Sequence, residues 1–371
     1  MKNKKGFTLI ELLAVIVILA IIALIAVPTI MTILDKANKS AFKDTAYGII
    51  SAGELYFAGQ QLDLNGMSGE KIFDLSQTNP DLQLKGEVPA GTLKINEDGD
   101  IALAVSNGRY CVTKRYTDND ITIKENSGIC YIPGTLLGVV TTSTDLEVDS
   151  VETCLTDRTT DKNYCGLGTA FAIKVKEEEV YKFYVIKDDG NKVTLIMDRN
   201  LGDRVAWYEG AKDNSYGPVT ALTHLNDQTA DWDNIDAIES YEYINNEDGT
   251  THTYGYQKLE ITNGAATLIS QDGNTVSKIN GIAKARLLTF EEHQSLTNDN
   301  KNIPDYLKGN LNQSNTPNPL AYWYLTAFSD DINHKYEDNR AYNMSYQTRG
   351  AAEVDRNTDR GVRPVIELPK Y

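Results

Sequence analysis

The chain has 371 residues, 41% hydrophobic and 24% charged, a balance ordinary for folded protein that excludes disorder for most of its length. Its formal charge of −16 gives no general attraction to nucleic acid or anionic lipid, since an acidic surface repels both. The length exceeds one ordinary core and suggests two folded units.

Residues 1–6 read MKNKKG, and then comes FTLIELLAVIVILAIIALIAVPTIMTIL, apolar from Phe7 to Leu34 apart from Glu11 and a few hydroxyl residues. The run exceeds the roughly 20 residues that a helix needs to cross a bilayer, and Lys2, Lys4 and Lys5 hold the leader on the cytoplasmic side. A secretory signal peptide has a shorter apolar core and then a small-x-small cleavage site, which is missing at the far end of this run. Glu11 is the informative residue, because a carboxylate in an apolar helix costs about 2.5–3.5 kcal/mol near the bilayer centre and less near its edge. Cleavage after Gly6 creates a cationic amine at Phe7, four residues from Glu11, able to neutralise it within one subunit or between neighbours. The plain alternative is an interfacial glutamate reaching for water.

The stretch KGFTLIELLAVIVILAIIALIAVP resembles the prepilin leader and helix of type IV pilins and pseudopilins. The resemblance implies cleavage by a prepilin peptidase between Gly6 and Phe7 and N-methylation of Phe7. It implies a subunit-docking role for Glu11 and a helix-bending role for Pro28. Independently, a proline inside a helix removes a backbone hydrogen bond and kinks or locally melts the helix.

Beyond Leu34 the helix is expected to continue in amphipathic form. Phe42, Ala46, Ile49, Ile50, Gly53, Tyr56 and Phe57 recur at helical spacing, while Lys36, Lys39, Lys43 and Asp44 fall outside the stripe. A helix from Phe7 to about Leu62 is on the order of 80 Å long. From about Asp63 to Pro133 the pattern turns to short strands. TLKINEDGDIALAVS reads as two strands around an Asp-Gly turn, and GRYCVTKR and ITIKENSGICYI add two more. A helix packed on a small antiparallel sheet is the α+β solution, and VPAGTLKINEDGDIALAVSNGRYC resembles pilin heads of Gram-positive bacteria. Asp98, Asp100, Asp118 and Asp120 lack EF-hand spacing and read as solvated turns.

The four cysteines, Cys111, Cys130, Cys154 and Cys165, form no C-x-x-C pair, which argues against zinc and thioredoxin-like chemistry. Three pairings are possible in principle. Nearest-neighbour pairing, Cys111–Cys130 and Cys154–Cys165, closes one short loop in each unit, each bridge worth about 2–4 kcal/mol in an oxidising compartment.

Residues 134–150 are Thr/Ser-rich and read as a linker. In residues 151–371, VYKFYVIKDDGNKVTLIMDRNL reads as a hairpin turning at Asp189-Gly190. ARLLTFEEHQSL reads as a helix capped by Thr289, with Glu292 completing a capping box. Asp305–Leu311 is expected to form a second short helix, and PNPLAYWYLTAF, RAYNMSYQ and GVRPVIEL look like returning strands. ARLLTFEEHQSL, YWYLTAF and GVRPVIEL resemble the formylglycine-generating-enzyme-like, C-type-lectin-like domains of bacterial surface proteins. The catalytic members use cysteines late in the domain, and this chain has none after Cys165. Arg286 and Arg363 read as structural or ion-pair residues.

Other catalytic patterns fail. The histidines make no H-x-x-x-H pair, no Gly-rich phosphate loop follows a strand, and no G-x-S-x-G elbow occurs. Aromatic residues crowd a polar stretch from Trp207 to Tyr256. Rings beside hydrogen-bonding groups suit sugar or protein recognition, so Trp207, Trp232, Tyr254 and Tyr256 are candidate ligand residues, with core packing the plainer reading.

The domain plan is therefore a leader (1–6), an apolar helix (7–34), a pilin head (35–133), a linker (134–150) and a display domain (151–371). The fold expected is α+β, a long helix on a small antiparallel sheet followed by a strand-rich lectin-like α+β domain. The pilin resemblance implies a non-enzymatic, cofactor-free subunit of a filament, and the large second domain favours a minor or tip type; a pseudopilin of a type II secretion or DNA-uptake system and an unprocessed membrane-anchored receptor are the alternatives. It implies as partners other pilins, the prepilin peptidase, a platform protein and its ATPase, and the membrane; the second domain adds a glycan or protein ligand. The expected location is the cytoplasmic membrane before assembly and the cell surface after it.

Overall fold

A computed structural model describes the chain except residues 1–8, 63–66, 68, 78, 126–129, 152–164, 211–215, 246–255, 271, 298–302, 309–321, 328–339, 345–348, 354–359 and 371. It is α+β and divides into two compact units, Met1–Pro133 and Gly134–Tyr371.

The first unit opens with one helix, α1 (Leu9–Gln61), that runs unbroken through Pro28. Of the two outcomes expected at the proline, a kink or a local melting, the melting does not occur. Hydroxyl groups instead serve carbonyls around it, Thr29 donating to the Ile25 carbonyl and Thr32 to that of Pro28. The carboxyl-terminal half packs on a five-stranded antiparallel meander: β1 (Lys71–Asp74), β2 (Ala90–Ile95), β3 (Ile101–Ser106), β4 (Tyr110–Lys114) and β5 (Thr122–Glu125). The amphipathic stripe forms the seam, with Phe42, Ala46, Ile49, Ile50 and Gly53 buried and Tyr56 and Phe57 packed at its margin. Gly53 lets helix and sheet approach closely, since a Cβ there would stand 3.0 Å from Ile101 Cδ1 and 3.2 Å from Leu93 Cδ2. The β2–β3 hairpin turns where expected. The Asn96 side chain accepts from the amides of Asp98 and Asp100, and Gly99 takes φ 90°. Two polar clamps bind the helix to the head: Asp35 accepts from Arg109 and the Tyr110 hydroxyl, and the Tyr47 hydroxyl donates to Asp120. A disulfide joins Cys111 on β4 to Cys130 beyond β5, with Cα atoms 5.5 Å apart.

The second unit begins earlier than the sequence suggested. Residues 134–150, expected as a linker, enter its core: Leu136 and Val139 of the short helix α2 (Leu136–Val139) are buried there. The apolar pair, which ends two residues before the Thr/Ser-rich run, outweighs that run's polar composition. Next, β6 (Val140–Thr141), β7 (Ala170–Lys176), β8 (Glu179–Asp188) and β9 (Lys192–Met197) form an antiparallel sheet. The β8–β9 hairpin turns at Asp189-Gly190, with Gly190 at φ 98°. β10 (Leu201–Val205) and α3 (Val219–Thr229) follow. A second sheet comprises β11 (Ser240–Ile244), β12 (Tyr256–Thr262), β13 (Ala265–Ser270) and β14 (Thr275–Lys278), with β11 at one edge.

Helix α4 (Phe290–Leu296) carries the capping box read from the sequence: the Thr289 hydroxyl accepts from the Glu292 amide and the Glu292 carboxylate from the Thr289 amide. The expected helix after Asp305 is a 3-10 turn, Asp305–Leu307; residues 309–311 lie outside the described residues. The returning strands are β15 (Tyr322–Ala327), β16 (Arg340–Met344), β17 (Arg349–Glu353), β18 (Arg360–Val362) and β19 (Val365–Pro369). The first four complete a third sheet with β10 in the order β10-β18-β15-β16-β17, while β19 joins the first sheet beside β9. Next to β19, Lys370 forms a wholly buried ion pair with Asp188 at 2.8 Å, and its amide donates to the Asn191 carbonyl.

Candidate functional site

Two places in the molecule carry chemistry beyond packing. The first is the amino-terminal half of α1. From Leu9 to Leu34 nearly every large apolar side chain is exposed, Leu9 by 85% and Leu24 by 77%. By length and composition this is the one helix, among the described residues, able to cross a membrane. A surface of that size demands lipid or other apolar helices around it. Glu11 lies in its first turn. Gly6 and Phe7 lie outside the described residues.

The second place is a cleft of about 720 Å³ in the Gly134–Tyr371 unit. The β8–β9 hairpin supplies Lys187 and Lys192, β11 supplies Tyr241 and Tyr243, and the α4 segment supplies Arg286 and Glu291. The cleft floor is a closed ionic network. Arg286, 2% exposed, is held by Glu292 in two hydrogen bonds and by Glu367 on β19 at 2.9 and 3.1 Å. It also donates to the Leu287 carbonyl, and its guanidinium sits 4.6 Å over the Tyr241 ring. Burial works against the Arg286 charge, but Glu292, Tyr241 and Glu367 outweigh it and hold the group ionised. Burial likewise pushes Glu367 up, but Arg286 and Lys192 bring it below the usual carboxylate range.

Glu291 differs. Both its carboxylate oxygens are shut off from solvent and lack a well-formed hydrogen bond among the described residues. The Thr289 and Tyr243 hydroxyls lie beside it, and its charged neighbour is another acid, Glu292; burial raises its pKa above the ordinary value. Behind it stands Tyr256, 1% exposed, whose hydroxyl also lacks a partner among the described residues and whose field couples to Tyr241 and Glu291.

The aromatic residues singled out from the sequence do not build this cleft. Trp207 and Trp232 are 0% and 1% exposed. Trp207 donates to the Tyr324 carbonyl at 2.8 Å, and Trp232 packs against Tyr181 and Phe183. With Tyr256 they are core residues whose ring faces are covered, which corrects their assignment as ligand residues; Tyr254 lies outside the described residues. The residues that do line the cleft, Tyr241 and Tyr243, sit two apart on one strand and so share a face. Arg286, read as structural, is structural, and it also walls the cleft. Cys165 is disulfide-bonded, while Cys154, its expected partner, lies outside the described residues. No group of three or more His, Cys, Asp or Glu able to hold a metal occurs among the described residues.

Among protein families, the prokaryotic N-terminal methylation motif matches residues 1–27. That opening segment is similar to the one found in type IV pilin-like prepilins. The prepilin motif and the exposed apolar helix together indicate membrane anchoring, and the motif implies dealings with pilins, a peptidase and assembly machinery in general. No curated protein and no solved structure is significantly similar to this pilin-like chain. The lectin-like resemblance of the second unit therefore rests on its sequence segments alone.

Proposed function

We propose that the chain is a structural subunit of a type IV pilus-like filament, of minor or tip type, displaying its second unit for adhesion. The observation that carries this reading is the prepilin motif continuing into an uncovered apolar helix with a single acid in its first turn. Before assembly the helix lies in the cytoplasmic membrane. A prepilin peptidase cuts between Gly6 and Phe7, Phe7 is methylated, and a platform protein and ATPase transfer the helix from lipid into a bundle of like helices. Moving from lipid to apolar helices leaves hydrophobic burial nearly unchanged, so docking depends on packing and on the Glu11 charge finding an amine. The two clamps on α1 keep the head fixed to the helix that enters the bundle. The second unit is larger than the anchoring head, and its polar cleft supports a recognition role rather than a purely architectural one.

Mass spectrometry of sheared surface filaments tests the reading. The expected mature terminus is N-methylated Phe7; a chain retaining Met1 and remaining in the membrane fraction points instead to an unprocessed receptor. Glu11→Leu is expected to abolish incorporation into filaments while membrane insertion persists. Normal incorporation of that variant refutes the docking role.

A further inference from the structure

The cleft described above contains an acid with no countercharge among the described residues. Arg286, Lys192 and their carboxylates neutralise one another across α4, β9 and β19. Glu242, on the rim, is met by Lys258. Glu291 is left with hydroxyl neighbours and a like-charged one. A carboxylate sealed from water without an ion or strong donor is destabilising, and a folded chain retains such a group where something else completes it. The buried Tyr256 hydroxyl, which does not line the cleft but feels the Glu291 charge, also lacks a partner among the described residues.

We propose that this cleft binds an organic cation, a primary ammonium or guanidinium on an aliphatic arm, with Glu291 as its counterion and Tyr241 and Tyr243 as its aromatic walls. A metal ion fits less well, because Glu292 is committed to Arg286 and no three acids converge among the described residues. An anion is disfavoured, since five acids and three bases line the cleft (Asp189, Glu242, Glu291, Glu292 and Glu367 against Lys187, Lys192 and Arg286). An ammonium suits one carboxylate, phenol oxygens and ring faces together. The proposal names a ligand for the unit assigned to display, yet it is read by binding alone and stands or falls independently of filament assembly.

The experiment uses the full chain in detergent micelles, titrated by calorimetry with N-acetyl-lysine methylamide, N-acetyl-arginine methylamide, N-acetyl-norleucine methylamide and calcium chloride. The expected result is saturable binding of either or both cationic probes, with the norleucine compound at least about tenfold weaker, the loss of one charge-assisted contact. Glu291→Gln is expected to abolish that preference, and Tyr243→Phe to weaken it, each still showing one cooperative tryptophan melting transition. Binding of norleucine equal to lysine, saturation by calcium alone, no binding at millimolar probe, or an unaltered preference in a folded Glu291→Gln variant each overturns the proposal. Should that variant fail to fold, the preference of the unaltered chain and its weakening in Tyr243→Phe decide the matter.

Discussion

Replacing Arg286 by methionine removes a fork that joins α4 to β19. Glu292 and Glu367 are 18% and 12% exposed as side chains, so both are left as carboxylates largely withdrawn from water. Breaking a buried pair by deleting one partner costs about 3–5 kcal/mol. Here Glu367 keeps Lys192, which places the loss near the lower end, about 3 kcal/mol. For a unit of this size that corresponds to a fall in Tm of about 6–12 °C. The assay is unusually clean, because all three tryptophans, Trp207, Trp232 and Trp323, lie buried in the Gly134–Tyr371 unit, so their emission follows its unfolding alone. The acid limb gives a second readout. Glu367 has a lowered folded-state pKa, so its contribution is present above its ordinary value of 4.5 and is lost as pH falls below it. Arg286→Met should flatten that limb. Arg286→Lys, which keeps the charge and loses the fork, should fall between the two. A Tm lowered by less than about 2 °C, with the acid limb unchanged, refutes the claim that this network holds the cleft floor.

Glu291 titrates in the opposite sense. Its folded-state pKa is raised, so its favourable contribution exists below 4.5 and is lost as pH rises through the folded value. Glu291→Gln should therefore melt above the parent at pH 7, with the advantage vanishing below pH 4.5 in a pH series of melting curves. Converting Cys111 and Cys130 to alanine should destabilise the first unit by about 2–4 kcal/mol, read by urea titration of far-UV circular dichroism, with the tryptophan transition unmoved. Gly53→Leu should cost about 1–3 kcal/mol and increase amide exchange across β2 and β3, because the added side chain strikes Ile101 and Leu93.

Much of the first unit was legible in the sequence because its signals are local. The stripe from Phe42 to Phe57 has one period and one partner surface, and the turn at Gly99, like that at Gly190 in the second unit, occupies backbone that glycine adopts without strain. The Thr289–Glu292 capping box was likewise readable, being complete within four residues. What was hidden depends on contacts distant in sequence. Arg286 meets Glu367 across 81 positions, and no pattern near either residue announces it. Trp207 and Trp232 looked like recognition residues because composition cannot tell a ring that faces water from one packed on Tyr324 or Phe183. Leu136 and Val139 give no signal in the sequence because two apolar residues form no period, though they are buried against the rest of their unit.

The closing strand sets the order in which the second unit can be made. β19 supplies the neighbour of β9, the acid that grips Arg286, and, one residue later, the sealed Lys370–Asp188 pair. Until β19 is in place, β9 therefore keeps an open edge and Arg286 lacks one of its two carboxylates. A chain lacking β19 is expected to leave that edge unsealed and open to proteolysis.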